Sequence, residues 1–114
     1  MLDFPGFMKS SKNRISNKEQ NTQDIEGYYY TAVDGSQMAF WTCHSDRTSK
    51  KHKHDFDEYM VCVSGQYTVI MNDKEYVLNP GDEILIPKGT EQGGRCIAGT
   101  RTIHAFGGKR ITGD

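Results

Sequence analysis

The stretch KHKHDFDEYMVCVSG, residues 51–65, decides how the rest of this chain is read. His52, His54 and Glu58 share a parity, and side chains of an extended segment alternate between faces, so these three are expected to project to one side. Two imidazoles and one carboxylate converging there make a three-donor set that holds a divalent metal such as iron(II) and leaves coordination positions open. On the other parity, Lys51, Lys53, Asp55 and Asp57 are charged and suit water. Past Glu58 that odd face turns apolar with Tyr59, Val61 and Val63, which predicts a strand running from an exposed rim into a covered interior. Met60 and Cys62 share the even face with Glu58 and are assigned to core packing ahead of cup lining. Gly65 opens a turn. The stretch reads as a metal cup on the wall of a β-barrel.

Downstream, residues 67–71 and 75–78 flank Asn72-Asp73-Lys74 and predict a hairpin. Asn79-Pro80-Gly81-Asp82 is a β-turn in which proline presets φ at the second position and glycine takes the positive φ at the third. Residues 83–86 make a strand closed by Pro87-Lys88-Gly89, and residues 95–98 and 100–106 are expected to form a last hairpin through Gly99. Upstream, residues 28–33 and 37–43 are rich in aromatic and β-branched side chains and flank the turn dipeptide Asp34-Gly35. Trp41, the sole tryptophan, is assigned to the core first and to pocket lining second. His44 has no partner at ligand spacing and is placed on the surface. About eight short strands with regular turn signals and no convincing helix predict an antiparallel sandwich or barrel. Closing the sheet also removes edges that invite aggregation.

Residues 1–24 are rich in Lys, Ser, Asn and Gln and hold one apolar cluster, Leu2, Phe4, Phe7 and Met8. They are expected to form an N-terminal arm, either loosely ordered or docked on a barrel face or a second subunit, with the barrel domain spanning 25–114. The full 114 residues suit one domain, and a formal charge of −1 gives no net pull toward nucleic acid or a membrane surface. No apolar run approaches a membrane span or a signal-peptide core, so a cytoplasmic protein is expected. Cys43, Cys62 and Cys96 are odd in number, widely spaced and without a Cys-x-x-Cys pair, which argues against a disulfide framework and a zinc knuckle. They are read as reduced, mostly buried thiols. There is no Ser-His-Asp order, no phosphate-binding glycine loop and no nicotinamide fingerprint.

These residues resemble the cupin superfamily, small jelly-roll barrels whose first motif runs G-x(5)-H-x-H-x(3,4)-E-x(6)-G and whose second runs G-x(5)-P-x-G-x(2)-H-x(3)-N. His52, His54, Glu58 and Gly65 match the first motif apart from its leading glycine, and Gly81, Pro87 and Gly89 match the start of the second. The ending GTRTIHAFGG is also similar to a group of one-domain bacterial cupins. The resemblance implies an all-β double-stranded β-helix, a divalent metal ion (iron, manganese, nickel or zinc), a small-molecule substrate or ligand, and a homodimer. It spans dioxygenases, isomerases, epimerases and lyases as well as non-catalytic binding barrels, so fold does not select among them.

One departure bears on the site. Gln92 stands where the second motif places its metal-binding histidine, and Cys96 stands at its closing asparagine. A carboxamide oxygen is a weaker donor than imidazole toward a transition metal. Three arrangements stay open. His52, His54 and Glu58 hold the metal alone with Gln92 on a bound water; or His104 supplies the missing imidazole from the adjacent strand; or the loss leaves the cup usually empty. His104 has a further reading as a hydrogen-bonded core residue. Arg95, Arg101 and Tyr59 are candidates to orient an anionic substrate.

Overall fold

The computed structural model describes residues 3–113, so Leu2 lies outside the described residues. The aromatic runs before and after Asp34-Gly35 form β1 (Ile25–Thr31) and β2 (Gln37–Cys43), paired antiparallel with Tyr28 opposite Phe40. Gly35 takes φ +91° in the connecting turn, a conformation that costs a residue without Cβ nothing. The chain continues through β3 (Arg47–Thr48), β4 (Glu58–Ser64), β5 (Tyr67–Met71), β6 (Lys74–Leu78), β7 (Glu83–Ile86), β8 (Gln92–Cys96) and β9 (Arg101–Phe106). Asn72 and Asp73 both take positive φ, so the β5–β6 turn is a two-residue loop and Lys74 joins the strand.

Among the described residues nine strands form two antiparallel sheets, one ordered β1-β2-β9-β4-β7 and the other β3-β8-β5-β6. The expected hairpin through Gly99 is therefore corrected, because β8 and β9 belong to different sheets. The turn at Gly99 is bonded to β2: Gly99 N–H donates to the Cys43 carbonyl and Cys43 N–H donates to the Thr100 carbonyl, both at 2.8 Å. Those bonds deliver β9 to β2, with His104 opposite Ala39.

Residues 51–65 also differ from a single extended strand, since regular pairing begins only at Glu58. Before it, His52 is clipped to β8 by reciprocal backbone bonds with Gln92 at 2.8 and 2.9 Å. The chain then turns through Asp55-Phe56-Asp57 from one sheet to the other. The covered face of β4 is the even one: Met60 and Cys62 are buried with Val69, Met71, Leu78 and Ile86, while Tyr59 is exposed. Their assignment to the core holds.

A second buried cluster joins Trp41, Ala39 and Phe106 to Ile15 and Ile111. Residues 3–24 carry three short 3-10 turns. Within them Phe4 packs on Phe40 and Tyr28 at the outer side of the larger sheet, whereas Phe7 is 85% exposed. Burial of Phe4 and Ile15 supplies the apolar contact that ties this polar stretch to the sheet.

Candidate metal centre

Three of the sequence-selected donors meet: a ring nitrogen of His52, one of His54 and a carboxylate oxygen of Glu58 all lie within 4.8 Å of one another. They come from two places. His52 and His54 lie on the connector that continues along β8 from β3, and Glu58 opens β4 in the other sheet. In an octahedron with bonds of about 2.1 Å, neighbouring donors stand about 3 Å apart and opposite ones about 4.2 Å. The spread of 4.8 Å needs only a small inward closure, so the residues fit a divalent ion.

Local bonds prepare the rings for that role. His52 Nδ1 lies 2.9 Å from the Lys50 carbonyl, so Nδ1 carries the proton and the Nε2 lone pair is left for a ligand. Burial pulls the His52 pKa below its ordinary value, favouring the neutral ring that ligates metals. Phe56 stacks on His54 with ring centroids 5.0 Å apart, and Gly89 N–H donates to the His54 carbonyl at 2.8 Å.

The other two sequence-selected residues reach the same carboxylate. Gln92 Nε2 donates to Glu58 Oε1 at 2.9 Å and His104 Nδ1 donates to Glu58 Oε2 at 2.7 Å. His104 Nε2 lies 2.9 Å from the Thr102 hydroxyl, so both of its nitrogens are engaged. Glu58 is 4% exposed. Burial raises its pKa, but hydrogen bonds from His104, His54 and Gln92 outweigh that and hold it well below the usual carboxylate range. The centre of the site is thus an ionised, oriented carboxylate.

A cavity of about 70 Å³ opens beside this cluster, with Trp41, Phe106 and Arg110 in its wall. Trp41 serves as both core and lining: it belongs to the buried cluster and meets His104 edge-on at 4.8 Å. Cys43 and Cys96, read from sequence as reduced thiols, are both free and buried and line the same cavity with their sulfurs 2.6 Å apart. The anion candidates lie elsewhere. Arg95 pairs with Glu75 at 2.7 Å, Arg101 lies over the Phe4 ring, and Tyr59 is on the outer face. His44 is exposed and contacts Glu26 at 2.9 Å. Sequence reasoning passed over Thr102 and Arg110; the strand period places Thr102 beside His104 on the inner face, but no periodicity reaches Arg110.

Two facing antiparallel sheets with a His-His-Glu group beside one cavity define an all-β protein with a candidate metal site. The chain belongs to the cupin-domain family, whose profile matches residues 39–105. No curated protein sequence matches it. Among solved structures it is similar to an RmlC-like cupin from Shewanella frigidimarina, with 17% identity over 93% of each chain and a TM-score of 0.70. KdgF from Halomonas sp. is 19% identical, with 81% of this chain and 89% of that one covered and a TM-score of 0.67. A variant of salicylate 1,2-dioxygenase from Pseudoaminobacter salicylatoxidans, solved with gentisate, is 11% identical with a TM-score of 0.68; the match covers 73% of this chain but 25% of that one. At these identities the likeness is one of fold. Among the described residues, no helix is long and apolar enough to cross a membrane.

Proposed function

We propose that this protein is a metal-dependent cupin in which His52, His54 and Glu58 hold a divalent ion, acting on a small, oxygen-rich metabolite by dioxygenase, isomerase, epimerase or lyase chemistry. The observation that carries the reading is the convergence of those three donor groups, all within 4.8 Å, on one cavity. Placing such polar groups in a β interior is costly unless an ion or hydrogen bonds satisfy them. When bound, the ion would supply Lewis acidity and a template for a bidentate oxygen ligand. The chain supplies the rest. Gln92 and His104 fix the Glu58 carboxylate, Lys50 fixes the His52 tautomer, and Trp41 and Phe106 wall the cavity against bulk water. The two sheets are read as one closed jelly-roll barrel, and a second copy of the chain as the cover for Met38, Tyr59 and Leu85, which are exposed on the larger sheet.

A second reading, a non-catalytic ligand-binding barrel with little metal, is favoured by Gln92 at the fourth-ligand position and by the engagement of both His104 nitrogens. Metal analysis of protein purified without chelator decides between them. The proposal expects stoichiometric iron, manganese, nickel or zinc in the wild type and its loss in His52→Ala, with folding stability little changed. A metal-free wild type that binds a metabolite tightly overturns it, and equal metal in wild type and His52→Ala removes the ligand assignment.

A further inference from the structure

We propose that Arg110 makes this cavity selective for an anionic ligand, gripping a carboxylate or similar oxyanion group at a distance from the end that meets the His-His-Glu cluster. The inference deepens the metal-site reading and takes from it the position of the reacting end; the ionic contact itself stands on separate observations.

The first is how firmly the residue is placed. Arg110 follows β9 in a run without regular structure, yet that run is pinned. Gln37, 2% exposed, donates to the Ile111 carbonyl and accepts from the Ile111 N–H, both at 2.8 Å. Glu19 accepts from the Thr112 N–H at 2.7 Å and from its hydroxyl at 2.6 Å. The Ile111 side chain is fully buried. With its neighbours held, Arg110 lines the cavity and its guanidinium carbon lies 5.8 Å from the centroid of the Trp41 ring. An aromatic face steadies a guanidinium plane and leaves its edge donors free.

The second is that those donors are unspent. Among the described residues Arg110 has no hydrogen-bond acceptor and no carboxylate at ion-pair distance, while its cation–π contact is made to Trp41. Arg47, in the wall of the same cavity, is different: it donates to the hydroxyls of Thr22 and Ser45, each at 2.8 Å, and stands 3.8 Å from Asp24. Burial lowers the pKa of Arg110, with the charges of Glu58 and Glu19 opposing. A half-buried guanidinium with five donors and no acceptor is the side chain that most favours a planar oxyanion partner.

The third is the charge balance. Glu58 is already engaged by His104 and Gln92, and Glu19 by the backbone and hydroxyl of Thr112. A divalent ion on the cluster leaves the cavity with an excess of positive charge, which a neutral ligand does not offset.

The test compares malate with its neutral analogue, the monoamide of the carboxyl remote from the hydroxyl, by calorimetric titration of manganese-loaded protein at low ionic strength, where screening is weak. Wild type is expected to bind malate about tenfold or more tighter than the monoamide. Arg110→Gln should abolish that preference with its manganese content unchanged, and Arg110→Lys, which keeps the charge but loses the fork, should retain part of it. Unchanged thermal midpoints in both variants show that the fold is intact. A wild type without preference for malate, including one that binds neither compound, overturns the proposal, as does a preference that survives in Arg110→Gln. Failure of the metal reading looks different: wild type takes up no manganese but still prefers malate. His52→Ala, expected to lose manganese, should bind both compounds more weakly and keep the preference.

Discussion

Replacing Glu58 by glutamine tests the centre of the site at nearly constant shape. The carboxylate accepts from His104 Nδ1 at 2.7 Å on one oxygen and from Gln92 Nε2 at 2.9 Å on the other, with His54 Nε2 3.3 Å from the latter. A carboxamide keeps one oxygen to accept from Gln92 and turns its NH2 group to His104, whose ring meets it by moving its proton from Nδ1 to Nε2, where the Thr102 hydroxyl accepts. The exchange leaves no donor unpaired but turns two charge-assisted bonds into neutral ones, a loss of about 1–3 kcal/mol. Relief from burying a charge does not reverse the sign, because Glu58 is held below its ordinary pKa and the fold therefore favours its ionised form. For a chain of this length, about 4 °C of midpoint per kcal/mol converts the loss to a fall of about 4–12 °C. Thermal unfolding in excess chelator measures it without any contribution from ligation. The pH dependence follows with a definite sign. A carboxyl whose pKa is lower folded than unfolded adds stability above the unfolded value, and this is lost as pH falls through the folded one. The gap between wild type and Glu58→Gln should therefore be widest near neutrality and narrow below about pH 4.5. Equal midpoints at neutral pH, or a gap that widens on acidification, would refute the reasoning.

Gly65→Ala is expected to destabilise the fold by about 2–4 kcal/mol, combining the cost of a left-handed conformation with overpacking. Gly65 has φ +75°, and an added Cβ would collide with the Thr100 side chain and lie 2.7 Å from its Cα; a urea midpoint matching wild type would count against this. Cys43 and Cys96 should close a disulfide when treated with diamide, the two thiols giving up two hydrogens as the reagent is reduced to the hydrazine. Titration in denaturant should then find the three free thiols reduced to Cys62 alone, and survival of all three would show that the 2.6 Å contact is not productive.

Features set by neighbouring residues were legible in the sequence. Asp34-Gly35 and Asn79-Pro80-Gly81-Asp82 specify their turns through local φ preferences, and both form. The spacing of His52, His54 and Glu58 was legible too, but its geometric explanation was not. Parity on one strand predicts projection from one wall, whereas the chain changes sheets after His54 and the donors converge from two walls. The turn at Gly99 shows the same limit. Its glycine announces a reversal, while the partner of the returning strand is chosen by bonds to Cys43, more than fifty positions earlier in the chain.

Arg110 is the furthest case, since what holds it is a carboxamide on β2 that bonds the backbone beside it. A clue existed in that carboxamide. Gln37 shares its parity with Ala39 and Trp41 and so faces inward, and a buried amide must find partners. One partner lies on β1, where the Thr31 hydroxyl accepts from Gln37 Nε2 at 2.9 Å, and the others are the backbone groups of Ile111, outside the ladder. Residues 107–113, after β9, are the segment that carries them: backbone outside the strand ladder, a lone isoleucine at position 111, and an arginine immediately before it. The inward-facing carboxamide near the start of β2 thus seats the irregular segment that follows β9, and the charged neighbour of the docking point is carried to the cavity wall. That chain of contacts leads from β2 to the one cavity-lining guanidinium that lacks an acceptor among the described residues.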